Sequence, residues 1–228
     1  CAGLSPMSVI MPPLSTDAIV EANAPHHAAL DDDFDSLGRQ LDRRGVAITD
    51  IVDAVSRFSV ALPSWGAGRG GTRFAKFPLA GEPTNIHEKL VDCAVVHQLS
   101  TVTPRVSPHF PWDTVDDYVA LREEAEALGL TFDAVNSNTF QDQAKQVVSY
   151  ATGSLASTDA ATRAQAVAHN IECIEIGRQL GSSALTVWVG DGGNLPGQQH
   201  LGGAFDRYLE SAALIYNAKQ WHAFIDAV

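Results

Sequence analysis

The chain has 228 residues, 45% of them hydrophobic and 18% charged, and its 27 acidic against 15 basic side chains give a formal net charge of -12. This is the composition of a soluble globular protein with a substantial core, and it excludes the basic face that a nucleic-acid binder needs. No apolar run reaches the roughly 18 residues of a membrane span, and three cysteines (Cys1, Cys93, Cys173) do not make a disulfide framework.

The N-terminus lacks the basic-then-apolar plan of a signal peptide, so a cytoplasmic protein is expected. The chain opens at Cys1, with Met7 and Met11 as candidate natural starts. Residues 1–45 read as a polar N-terminal segment with one short helix at 34–44 (FDSLGRQLDRR), ended by Gly45. The Asp run 31–33 sits where helix-entry carboxylates are favoured. From residue 46 on, period-two and period-3.6 segments alternate. Strand-like FSVAL (58–62) precedes a helix with Ile86, Leu90, Ala94 and His97 on one face. Strand-like RVSPHF (105–110) precedes a helix with Tyr118, Leu121, Ala125 and Leu128, closed by Gly129. Strand-like LTFDAV (130–135) precedes a helix with Ala164, Val167, Ile171 and Ile174. That helix opens at Thr158 or Asp159 and ends before Gly181. Strand-like SALTVWV (183–189) precedes a helix with Phe205, Leu209, Ala212 and Tyr216. WHAFIDAV (221–228) reads as the opening of a fifth strand. Cys93 and Cys173 fall inside apolar helical patterns, as small buried hydrophobes do.

Such alternation implies an α/β protein with a parallel sheet and helical crossovers. An open doubly wound sheet and a (β/α)8 barrel both fit. A barrel needs eight strands and about 250 residues, so residues 46–228 read as the first half of one, with four to five strand-helix units. In a barrel the chemistry sits at the C-terminal strand ends. The first end carries Trp65 and a glycine-rich loop, the second His109, Trp112 and Asp113. The third carries Asn136, Asn138 and Phe140, the fourth Trp188, Asp191, Asn194 and Gln198. Singly, each has a plainer reading: a packed Trp, a satisfied His, Asp113 as a helix N-cap, Asn136 and Asn138 as turn formers. Together at one barrel mouth they suit a carbohydrate, since indole faces cover sugar C–H groups while amides and imidazole bond hydroxyls.

PSWGAGRGGTRFAKF (63–77), VSPHFPWD (106–113), NSNTF (136–140), LTVWVGDGGNLPGQ (185–198) and the helix RAQAVAHNIECIEIG (163–177) resemble the bacterial L-rhamnose isomerase family. The resemblance runs from about residue 46 to about residue 216. It implies a xylose isomerase-like TIM barrel, a metal-dependent aldose–ketose isomerase and a homotetramer. It also implies that Trp65, Trp112, Phe140 and Trp188 line the sugar pocket. His109 would act catalytically, touching the sugar near its ring oxygen and first carbons. Phe74 would reach into a neighbouring subunit's site on a mobile loop anchored by Arg73 and Lys76. The family's divalent ions, commonly manganese, are held by Glu, Asp and His from the fifth strand onward. There this sequence offers only Asp226, and one carboxylate cannot hold an ion that takes about six ligands. The implied substrate is L-rhamnose with relaxed sugar specificity, and neither nucleic acid nor membrane is an expected partner. Two alternatives stand beside this reading: an inactive, self-associating half-barrel, and a TIM-barrel sugar epimerase.

Overall fold

The computed structural model of the chain describes residues 14–69, 79–193, 195 and 197–225. Five short parallel strands alternate with helices: β1 (Ala61–Pro63), α4 (Ser64–Ala67), α5 (Ile86–Ser100), β2 (Arg105–Ser107), α6 (Tyr118–Ala127), β3 (Thr131–Phe132), β4 (Val135–Asn138), α7 (Ala160–Gln179), β5 (Leu185–Trp188) and α8 (Leu201–Ile225). β1 pairs with β2 and β2 with β3, while β4 pairs with β5, all parallel. A parallel bridge between His109 and Asn136 carries the β2 segment on to β4. The strand positions therefore follow chain order with no switch point: β1, β2, the broken β3–β4 run, β5. A doubly wound sheet would reverse order partway along. The helices α5, α6 and α7 share a single core with the strands, built from Leu90, Cys93, Val106, Leu121, Phe132, Val135, Cys173 and Ile176. Helices on one side of a sequentially ordered parallel sheet make a sector of a (β/α) barrel.

Local chemistry explains the helix limits. The side chains of Asn85, Asp117 and Asp159 each accept backbone N–H bonds from the first turn of α5, α6 and α7, satisfying donors that have no partner inside a helix. Gly129 (φ 76) and Gly181 (φ 75) follow α6 and α7 in the left-handed region, where a side chain is strained. Cys93 and Cys173 are free and buried.

Several expectations need correction. Among the described residues three α-helices precede β1 where one at 34–44 was expected: α1 (Thr16–Asn23), α2 (His27–Asp42) and α3 (Ile48–Ser56). The Asp run 31–33 thus lies inside α2, because the preceding Ala28, Ala29 and Leu30 are strong helix formers. Phe58 and Val60 are exposed and precede β1. The 130–138 run is split between β3 and β4 at Asp133 and Ala134. Residues 221–225 continue α8 instead of opening a fifth strand. Asp226 lies outside the described residues. The inward stripe of α8 is Ala204, Ser211 and Ile215, leaving Phe205, Leu209 and Tyr216 exposed. Ala164 is exposed on α7, whereas Val167, Ile171 and Ile174 pack in a second cluster with Tyr150, Leu155 and Ile215.

Candidate active site

The inward faces of the strands converge on one aromatic cluster. β4 sets the directions: Val135 enters the helix-side core, so Asn136 and Asn138 face the other way, in register with Thr186 and Trp188 of β5. Trp65 follows β1 in α4, His109 and Trp112 follow β2, Phe140 follows β4 and Trp188 ends β5. The His109 and Trp112 rings stack at 3.8 Å. Trp65 meets His109 edge-on at 5.3 Å and Trp188 at 6.3 Å. Phe140 completes the group at 6.0 Å from His109 and 5.9 Å from Trp188. Five residues from four strand ends are thus joined by ring contacts.

Beneath this cluster lies a buried charge pair. Lys89 Nζ donates to Asp113 Oδ1 at 2.7 Å, with both side chains almost wholly enclosed. The other Asp113 oxygen accepts from the His109 backbone N–H at 2.8 Å and from the Ser64 hydroxyl. Asp113 therefore fixes the backbone beside Trp65 and that of His109 at once. It is not a helix N-cap, because α6 opens later and is capped by Asp117. Lys89 escaped the sequence reading. Its signal was a cation within the apolar stripe of α5, between Ile86 and Leu90 on one side and Cys93 on the other.

Trp188 is held from two directions. Its indole N–H donates to Asn136 Oδ1 at 3.1 Å, and its carbonyl accepts from Thr139 Oγ1 at 2.9 Å. Asn136 Nδ2 donates in turn to the Pro108 carbonyl at 3.0 Å, so this amide ties β2, β4 and β5 together rather than forming a turn. Gly190 lies so close to Phe140 that a Cβ there would stand 2.9 Å from the Phe140 Cβ.

Some polar atoms of the site are left over. His109 Nδ1, Trp112 Nε1 and both side-chain atoms of Asn138 are buried without a protein partner among the described residues. A buried polar group without a partner costs about 1–3 kcal/mol, so these atoms mark where a hydroxyl-bearing ligand would be welcome. Burial, reinforced by the charges of His169 and Lys89, lowers the His109 pKa to about 3. The imidazole is neutral at pH 7, one nitrogen a donor and the other an acceptor. His169 on α7 accepts from the Asn138 N–H through Nε2 at 3.1 Å. Burial lowers its pKa as well, against the opposing charge of Glu172.

Other candidates from the sequence do different work. Asp191 accepts from Ser154 N and Oγ and from Ala156 N at 2.6–2.8 Å, which makes it a clamp between two loops. Gln198 Oε1 accepts from Leu195 N within its own turn. Phe74, Arg73, Lys76, Asn194 and Asp226 lie outside the described residues. Among the described residues no three His, Cys, Asp or Glu side chains gather as a metal site, so they do not by themselves fit the divalent ion that the resemblance implies. No helix among them is long and apolar enough to cross a membrane.

No family model matches the chain. It is 54% identical over 215 residues to a protein of Rhizobium meliloti named "Probable sugar isomerase", a match covering 93% of this chain and 50% of that one. A second protein of that name, from Mesorhizobium japonicum, is 54% identical over 203 residues, covering 89% of this chain and 47% of its own length. Among solved structures, one of an L-ribulose 3-epimerase aligns with a TM-score of 0.48 at 14% identity, over 72% of this chain and 46% of that one. The chain thus spans about half the length of the curated relatives it matches, and over nearly all of its own length it is similar to proteins named as probable sugar isomerases.

Proposed function

We propose that this chain carries the sugar-binding part of a cytoplasmic aldose–ketose isomerase that converts L-rhamnose, and related aldoses with relaxed specificity, to the ketose. One observation carries the reading: Trp65, Trp112, Phe140 and Trp188 surround the buried His109 while polar atoms of the same cluster lack partners. Flat aromatic faces cover the C–H faces of a pyranose and exclude water, and unpartnered N–H and C=O groups bond its hydroxyls. Likeness to proteins named as probable sugar isomerases supports it independently.

In this reading His109 is the catalytic residue. A neutral imidazole with so low a pKa is a weak base, and its contribution is to hydrogen-bond the sugar near its ring oxygen and orient the ring for opening. Asp113 and Lys89 hold the His109 backbone, and Asn136 holds Trp188. A divalent ion, manganese, belongs to the proposal, with ligands other than the described residues. Phe74 of a neighbouring subunit in a homotetramer also belongs to it.

Tryptophan fluorescence of the 228-residue chain, titrated with L-rhamnose, tests the binding claim. A saturable change that Trp112→Ala removes is expected. No saturable change with any aldose or ketose would count against a sugar site here.

A further inference from the structure

The pairing between the β2 segment and β4 stops one rung short of the site. Around the bridge of His109 and Asn136 the ladder is regular: Asn136 N–H donates to the Pro108 carbonyl and Phe110 N–H to the Asn136 carbonyl, each at 2.9 Å. In a parallel ladder the next bond would run from Asn138 N–H to the Phe110 carbonyl. The imidazole of His169, reaching in from α7, takes that place. Its Nε2 accepts from Asn138 N–H at 3.1 Å, and the same ring hydrogen-bonds the Phe110 carbonyl. A neutral imidazole has one acceptor and one donor nitrogen, so with Nε2 accepting, the proton sits on Nδ1. The ring thus offers an acceptor to one strand and a donor to the other, and both backbone groups are satisfied where the strands part.

The surroundings of His169 hold it in this role. Its side chain is 18% exposed, with the Glu172 carboxylate 3.7 Å from Nδ1 and Cys173 Sγ 3.7 Å from Nε2. His109 is the titratable group that faces it from the β2 side. Burial favours the neutral ring, against the charge of Glu172. The residues flanking this wedge carry polar atoms that lack partners among the described residues. His109, just before Phe110, has a free Nδ1, and Asn138, 1% exposed, has a free side-chain nitrogen and oxygen. One imidazole ring separates the Phe110 carbonyl from Asn138 N–H, and it sets how far apart those two side chains stand.

We propose that His169 is a positioning residue of this site: as one rung of the sheet, it fixes the spacing of the His109 imidazole and the Asn138 amide so that both bond hydroxyls of a single sugar. The proposal rests on the sugar reading of the aromatic cluster. His169 itself does not touch the sugar and acts through the two backbones.

Glutamine and asparagine at position 169 separate this role from mere filling of space. A glutamine amide extends as far as Nε2 and offers an acceptor beside a donor, whereas an asparagine amide stops near Nδ1. L-Rhamnose binding to the 228-residue chain and to the His169→Gln and His169→Asn variants is measured by tryptophan fluorescence, and exchange of the Asn138 amide proton is followed by NMR without sugar. His169→Gln should keep affinity within about threefold and the Asn138 N–H protected, whereas His169→Asn should weaken binding about tenfold or more and speed that exchange by about as much, because a buried N–H without a partner is costly. Equal affinity in the two variants, or an Asn138 N–H that exchanges as slowly in His169→Asn as in the unsubstituted chain, would overturn the proposal. Exchange in the expected order in a chain that binds no sugar would overturn the sugar reading, and the positioning role with it, while leaving the rung in place. Should His169→Asn fail to fold, nitrogen NMR of the His169 ring in the unsubstituted chain decides: a proton on Nδ1 with Nε2 bare is expected, and the opposite tautomer overturns the proposal.

Discussion

The imidazole of His109 and the indole of Trp112 lie nearly parallel, 3.8 Å between centroids and 12° between planes. The two residues belong to one turn after β2, and the stack holds a buried, neutral imidazole against a flat apolar face. An offset aromatic pair contributes about 0.5–1.5 kcal/mol beyond burial. Trp112→Phe should therefore keep most sugar binding, while Trp112→Ala should weaken it about tenfold or more. Titration calorimetry on the two variants checks this, and equal affinity for both would contradict it.

The pair Lys89–Asp113 should dominate the stability of the strand ends. Removing one partner of a buried ion pair leaves the other charge unpaired, at about 3–5 kcal/mol. Lys89→Met or Asp113→Ala should each lower the melting temperature by roughly 10 °C in a chain of this size. A double variant, Lys89→Met with Asp113→Ala, should lose less than the sum of the two. Additive losses in thermal melts would show that the pair is not coupled.

Low pH should destabilise the chain through His109. Its pKa is about 3 when folded against 6.5 ordinarily, so the unfolded chain binds more protons between those values. The stability it contributes is complete above about pH 6.5 and falls as pH drops toward 3. His169 is shifted in the same direction and adds to the effect. Urea midpoints measured from pH 7 to pH 4 should fall steadily, and His109→Asn should flatten the slope. A slope unchanged by that substitution would place the proton uptake elsewhere.

Much of this was legible in the sequence. Trp65, His109, Trp112, Phe140 and Trp188 stood at four successive strand ends, and alternation of period made those ends readable. The helix α6 was announced by its closing Gly129 and α7 by its cap Asp159 and by Gly181, while α5 showed itself only through the apolar face of Ile86, Leu90 and Ala94. What escaped was set by tertiary context. Both stripes of α8 repeat at helical spacing, and periodicity cannot say which one the fold buries. Lys89 went unread, because only the folded chain brings Asp113 to it. Residues 221–225 hold Trp and Phe, which favour strands, yet they follow a helix that nothing stops. The α1–α3 helices pack too little of themselves to leave a strong stripe: of α1 to α3 only Gly38 is buried.

Gly190 should be intolerant of a side chain. A Cβ there would stand 2.9 Å from the Phe140 Cβ and 3.1 Å from its Cα. Gly190→Ala must displace Phe140 and with it one wall of the cluster, at about 1–3 kcal/mol for overpacking. Near-ultraviolet circular dichroism should register altered aromatic packing, and a native spectrum with a native melt would contradict the close approach.

The most direct measurement is aldose-to-ketose conversion by this chain fused to the unmatched half of the Rhizobium meliloti relative, assayed with L-rhamnose and manganese. The proposal predicts conversion that His109→Asn reduces at least a hundredfold while the circular dichroism spectrum is unchanged. A folded fusion that isomerises no aldose, or whose conversion is indifferent to His109→Asn, would contradict it.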